Sequence, residues 1–115
     1  MIVGSNETEF LAAALRGLEA QRKAAEHNVA NVETPGFKAR RVSFEQALAE
    51  AMTAGDPSQT AISTWHSSAP GRIDGSNVDL DDEMRALELN ALQQQLVNTA
   101  INARYTRLRT SIGQG

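Results

Sequence analysis

The sequence predicts an all-α protein in which long N- and C-terminal helices pair as a coiled coil, with a short third helix and an irregular segment between them. Apolar residues near both ends recur in alternating steps of four and three, the spacing that holds one stripe along a helix. The breakers Pro35-Gly36, Asp56-Pro57, Pro70-Gly71 and Asp74-Gly75 fall in the stretch between the two stripes. Aromatic residues make up only 4% of the 115-residue chain, so the large rings that usually anchor a globular core are mostly missing.

The first helix is expected over residues 6–32. Asn6 is read as its N-cap, with Glu9 three positions on in the capping-box pattern, and Glu7 and Glu9 suit the positive end of the helix dipole. Leu11, Leu15, Leu18, Arg22, Ala25, Val29 and Val32 form its stripe, which Arg22 interrupts. Ala12, Ala13, Ala14, Ala20, Ala24 and Ala30 make the flanks small enough for close approach, and Gly17 is a local weak point. Asn31 stands where a left-handed helix terminus would favour it, and Pro35-Gly36 supplies the two corners of a type II turn.

Residues 33–78 then hold a turn, a short helix and a loop. Phe37 to Val42 is an extended or irregular basic stretch carrying Lys38, Arg40 and Arg41. Ser43 with Gln46 reads as a capping box opening a short helix, with Phe44, Ala47, Leu48, Ala51 and Met52 on one side. From Thr53 to Asn77 the composition turns to Ser, Thr, Gly, Ala and Pro, with Ile62 and Trp65 the only large apolar residues before Ile73. That stretch is read as a loop, a hairpin, or a segment disordered until bound, because it buries too little to offset an ordering cost of about 1–2 kcal/mol per residue.

The second long helix is expected over residues 79–112. Asp79 caps it, Asp81, Asp82 and Glu83 load its first turn, and Arg104, Arg107 and Arg109 load its end, so both ends complement the dipole. Its main stripe is Leu80, Met84, Leu87, Ala91, Gln94, Asn98, Ile101, Tyr105, Leu108 and Ile112, and a second runs through Leu89, Leu92, Leu96, Ala100 and Ala103. Such a helix is about 50 Å long, beyond the span of a globule whose radius of gyration would be about 13 Å. Pairing two helices buries one stripe on each and leaves the other in water. Gln94 and Asn98 in the seam are costly unless they meet polar partners. Residues 1–115 are therefore read as a single domain that completes its burial against neighbouring subunits or a partner bundle, the alternative being a self-sufficient small helical bundle in which the middle stretch packs over the seam.

Composition excludes much else. No cysteine is present, which removes disulfides, thiolate catalysis and cysteine-ligated metals. The net charge of −3 argues against a nucleic-acid partner, and no run approaches the ~18 apolar residues of a membrane span. The first seven residues lack the basic and apolar regions of a cleaved secretory signal. His27 would need a second ligand at helical spacing to hold a metal, which Lys23 and Asn31 cannot supply; His66 is read as a solvated loop residue. The acids of 79–83 lack the glycine and glutamate that a calcium loop requires. No catalytic or phosphate-loop motif occurs, so no catalytic residue, metal or cofactor is expected.

Two strings carry a family likeness. Asn28-Val-Ala-Asn31-Val-Glu-Thr34-Pro35-Gly36-Phe37-Lys38 resembles the signature ending the N-terminal helix of the flagellar rod and hook (axial) proteins. Gly75-Ser-Asn77-Val-Asp79-Leu80-Asp-Asp-Glu83-Met84 resembles the start of their C-terminal helix. With almost no inserted domain, the chain is most similar to the short, proximal-rod members. The resemblance implies a non-enzymatic structural subunit of the bacterial flagellum basal body, exported by the type III route without a cleaved signal into the periplasmic rod. It implies helical self-assembly through the terminal helices into a tube used for motility. Implied partners are other flagellar rod proteins, the MS-ring–rod adaptor and the flagellar export gate, with no nucleic acid and no membrane span. Asn28, Asn31, Thr34, Pro35, Gly36 and Phe37 would shape the turn leaving the inner helix. Leu11, Leu15, Leu18, Met84, Leu87, Ile101, Tyr105, Leu108 and Ile112 would pack within and between subunits. The rival reading is a discrete coiled-coil adaptor or chaperone of such an assembly that never polymerises.

Overall fold

A computed structural model describes residues 3–114. Helix α1 spans Val3–Ala30 and strand β1 Arg40–Ser43; helix α2 follows at Glu45–Ala54, strand β2 at Ser63–His66, and helix α3 at Leu80–Gln114. A single 3-10 turn at Pro57–Gln59 follows α2, started by Asp56 accepting from the Ser58 N–H. The long helices run antiparallel: Arg104 reaches Glu7 and Thr8, Asn90 reaches Leu18, and Glu83 meets Asn28. The molecule is 66 Å long with a radius of gyration of 17.9 Å, well above the ~13 Å of a compact chain this size.

The side of α3 turned to α1 is not the apolar stripe. Glu83, Leu87, Asn90, Gln94, Val97, Ile101 and Arg104, again in steps of four and three, are all buried or half-buried. Of the expected stripe only Leu87, Gln94 and Ile101 are among them. Leu80, Met84, Tyr105, Leu108 and Ile112 are exposed, as are Leu89, Leu92 and Leu96 of the second stripe. The polar members of this seam are satisfied within the chain. Asn90 donates to the Leu18 carbonyl at 2.8 Å and accepts from Gln94 at 2.7 Å, so the desolvation cost of a polar seam is met by hydrogen bonds.

Helix α1 is used on two sides. Leu18 and Ala25 of the expected stripe are buried, and Leu11, Leu15, Val29 and Val32 are half-buried. Arg22 stays at the surface between Glu19 and Glu26, whose carboxylates hold its guanidinium above the ordinary arginine value. The two deepest positions, Ala13 and Asn28, lie with buried Ala24 on the flank of small residues. This flank receives the middle segment. Phe44 is buried with its ring against Gly17, where an added Cβ would lie 2.2 Å from the Phe44 Cγ. Gly17 is thus the place where a ring meets the helix backbone.

The irregular middle contains a two-stranded sheet. Strands β1 and β2 pair antiparallel, with Arg40 opposite His66, Arg41 opposite Trp65, Val42 opposite Thr64 and Ser43 opposite Ser63. The stretch 53–77 forms no hairpin of its own: its one strand, β2, pairs with β1 from the basic stretch before α2, and the register is set by side chains outside both strands, described below. Several local expectations change. Because α1 starts at Val3, Glu7 and Glu9 fall beyond its first turn, and because α3 runs on to Gln114, Arg104, Arg107 and Arg109 fall short of its last. Asn6 is not an N-cap, because α1 already runs from Val3 and its early turns are held against α3 by Arg104. Asn31 is not left-handed; it follows the helix end with ordinary φ, and its side-chain amide donates to the His27 carbonyl at 2.9 Å. Ser43 does not cap α2, since β1 claims it. Phe44 takes that position without a side-chain bond, and Gln46 turns to Glu50. Asp79 does act as a cap, accepting from the Asp82 N–H at 3.3 Å, and Gly36 takes the positive φ of 74° that the Pro35-Gly36 turn needs.

Candidate functional site

The two sequence motifs meet in space and clamp the hairpin onto the helices. Asn28, fully buried, exchanges a pair of hydrogen bonds with Arg40: the Arg40 N–H donates to Oδ1 at 2.8 Å and Nδ2 donates to the Arg40 carbonyl at 3.0 Å. The side chain thereby imitates a neighbouring strand and closes the outer edge of β1, helped by Gln21 donating to the Val42 carbonyl. Asn77 does the same on the inner side. Its Oδ1 accepts from the Ala39 N–H at 2.7 Å, and its Nδ2 donates to the Ser67 and Ala69 carbonyls, so one amide group bridges the strands where the ladder ends.

Glu83 ties this clamp to α3. Its side chain is 2% exposed, and Oε1 accepts from Asn28 Nδ2 at 2.6 Å and from Arg41 Nη1 at 2.7 Å. A buried carboxylate is tolerated only when paired and hydrogen-bonded, and here a cation from β1 and an amide from α1 supply both. Arg72 locks the far side by donating to the Val78 and Val32 carbonyls, the latter beyond the end of α1. The turns themselves touch: the Gly36 N–H donates to the Asp74 carbonyl at 2.8 Å, and a Cβ on Gly75 would lie 3.3 Å from the Gly36 Cα. Thr34 and Phe37 close the Pro35-Gly36 turn, and the Phe37 ring tilts over His27 with centroids 5.4 Å apart. A half-open groove of about 310 Å³ lies beside the clamp, lined by Asn28, Arg40, Arg41, Glu83, Leu89 and Gln93 among others. Glu45 borders it too. Partial burial pushes that carboxyl up, but the Gln21 amide and the backbone N–H groups of Glu45 and Phe44 outweigh it and hold it below the usual range.

The turn residues Asn28, Asn31, Thr34, Pro35, Gly36 and Phe37 are therefore brought together, although Asn28 reaches across to β1 and α3 instead of shaping the turn. The packing residues are divided. Leu18 is spent inside the chain and Leu11, Leu15, Leu87 and Ile101 are partly so, whereas Met84, Tyr105, Leu108 and Ile112 remain in water. Sequence reasoning missed Glu83, Asn77, Asn90 and Arg72 as structural residues. An acid in a first helical turn reads as a dipole partner, and nothing local distinguishes the one that turns inward.

Replacing Asn77 with alanine is expected to leave the half-buried Ala39 N–H without a partner, at about 1–3 kcal/mol. Amide exchange should quicken in 37–43 and 63–69 while α1 and α3 keep their protection. Unchanged exchange at Ala39 would show that the bridge contributes nothing.

No family model matches the chain. Among curated proteins it is similar over its full length to the flagellar basal body rod protein FlgB of Bacillus subtilis, 27% identical across 100% of this chain and 99% of that protein. It is 33% identical to FlgB of Aeromonas hydrophila over 70% of this chain and 73% of that protein, and 31% identical to FlgB of Borreliella burgdorferi over 68% and 73%. The motifs that clamp the hairpin are those that resemble the axial signatures, the short middle segment leaves no room for an inserted domain, and these similarities extend over most of both chains: the protein belongs to the FlgB family of flagellar basal body rod proteins.

Proposed function

We propose that the chain builds the proximal part of the rod by polymerising through its terminal helices, paired as a coiled coil, into the tubular shaft that drives motility. As a member of this family it is a structural subunit of the flagellar basal body rod, and a non-catalytic role fits rod relatives. Residues 1–115 then act as one rod-type domain. Its neighbours are other rod proteins, the MS-ring–rod adaptor and the export gate, met in the periplasmic rod.

The observation that carries this reading is the orientation of α3. Its α1-facing side carries Glu83, Asn90, Gln94 and Arg104 with only Leu87, Val97 and Ile101 as large apolar residues, while Met84, Leu89, Leu92, Leu96, Tyr105, Leu108 and Ile112 are each 47% exposed or more. Full burial of one such side chain is worth about 1.5–3 kcal/mol, so covering them by neighbouring subunits supplies a large driving force for assembly. Leu108→Asp is the test. At a position already 58% exposed the substitution should change the isolated chain by no more than about 0.5 kcal/mol. Co-assembly with the other rod proteins, read by sedimentation, should be lost. Normal co-assembly of that variant would remove the C-terminal stripe from the interface, and a wild-type chain that forms only a closed oligomer with one partner would favour the adaptor reading.

A further inference from the structure

The hairpin has one closed edge and one open edge. In this register Ser67 donates to the Ala39 carbonyl at 2.7 Å, and Arg40 and Val42 direct backbone groups away from β2, to Asn28 and Gln21. Alternation along an antiparallel pair then places the N–H and C=O of Thr64 and His66 on the outer edge of β2. Among the described residues neither has a backbone partner there, and all four residues of β2 are exposed. Natural edges are blunted by short length, charge, proline or a bulge, and of these β2, at four residues, has the first. Between Pro57 and Gly71 there is no Asp, Glu, Lys or Arg, and β2 itself has no proline. Trp65, at 48%, and Ile62, at 40%, add exposed apolar surface to the same segment.

We propose that a second copy of this chain docks on this edge, β2 against β2, to form a four-stranded sheet across two molecules. An uncharged strand can meet itself antiparallel without like charges opposing, and the positions of the free groups dictate the register. Thr64 of one copy exchanges its backbone bonds with His66 of the other, and the reverse, which sets the two Trp65 residues opposite each other at a non-hydrogen-bonded site. There the Cα atoms stand about 4.5 Å apart, the arrangement that brings side chains closest. The contact is two-fold and closes at two copies, so it cannot extend a polymer and does not rest on the helical assembly argued above. It holds the unassembled chain as a pair.

The chain offers two clean probes, since Trp65 is its only tryptophan and it has no cysteine. Sedimentation of the purified chain over a dilution series should show a reversible dimer, with tryptophan emission shifting to shorter wavelength as the dimer forms. Thr64→Pro removes only an outward N–H and spares the β1–β2 ladder, so it should leave a monomer of unchanged helical signal at every concentration. Trp65→Cys should give a disulfide-linked dimer on oxidation, because facing Cα atoms at this spacing suit the bond, and adding Thr64→Pro should suppress it. Leu108→Asp should dimerise like the wild type. A wild-type chain that stays monomeric, a Thr64→Pro chain that dimerises normally, a Trp65→Cys chain that does not crosslink, or dimerisation lost with Leu108→Asp would each overturn the proposal, and only the last implicates the helices.

Discussion

Replacing Glu83 with leucine is expected to lower the unfolding free energy by about 3 kcal/mol, the lower end of the cost of breaking a buried ion pair. The lower end applies because Arg41 is 39% exposed and water can reach part of its guanidinium once the carboxylate has gone. The loss should fall unevenly. Asn28 loses one of its partners but keeps its bonds to Arg40, so α1 stays attached to β1 while β1 is released from α3. Urea unfolding followed by circular dichroism measures the total, and amide exchange should show 40–43 and 63–66 opening before the long helices. A companion variant sharpens the test. With Arg41→Met added, the penalty should shrink, because removing both members of a pair leaves no uncompensated charge. A cost below about 0.5 kcal/mol for the single variant, typical of a surface site, would mean that Glu83 is solvated in solution.

Gly17→Ala is expected to destabilise the protein, and the sign of the effect decides the matter. In an isolated helix, alanine for glycine gains about 1 kcal/mol. In the folded chain the new Cβ would lie 2.2 Å from the Phe44 Cγ and within 2.4 Å of two further ring atoms, so the buried ring must leave its seat or the helix must bend. Overpacking costs about 1–3 kcal/mol, and full loss of a buried phenylalanine costs about 3–5 kcal/mol, either of which outweighs the propensity gain. Thermal denaturation of the variant gives the answer directly: a raised midpoint would show that the Phe44 ring does not sit against Gly17. The double variant with Phe44→Ala should recover part of the helix-propensity gain, since the obstacle is then absent.

Much of this molecule is legible in its chain. The four-three spacing places both long helices to within a few residues, Asp79 marks the start of the second, and Pro35-Gly36 marks the turn after the first. Both motifs are visible as strings. That they bind one another is not, because the bonds joining Asn28 to Glu83 and Asn77 to Ala39 link residues 55 and 38 positions apart. The polar seam is hidden for a related reason. Periodicity shows that a helix has apolar stripes but not which side a partner occupies, and here the side taken carries Asn90 and Arg104, which bond to α1, beside Leu87, Val97 and Ile101. The sheet escapes notice because β2 carries no alternating apolar signal strong enough to name a strand, and its order comes from the amide of Asn77 and the pairing with β1.

Local sequence alone therefore determined the helical class, the extents of the two long helices, the break between them and the surplus of apolar residues that points to assembly. Tertiary structure alone decided the facing sides of those helices, the hairpin and its register, and the clamp in which Glu83 joins three segments. The division follows from the range of the forces. Helix spacing, turn dihedrals and caps are fixed by neighbours within a few residues, whereas the orientation of a buried polar group depends on a partner that only the fold brings within reach.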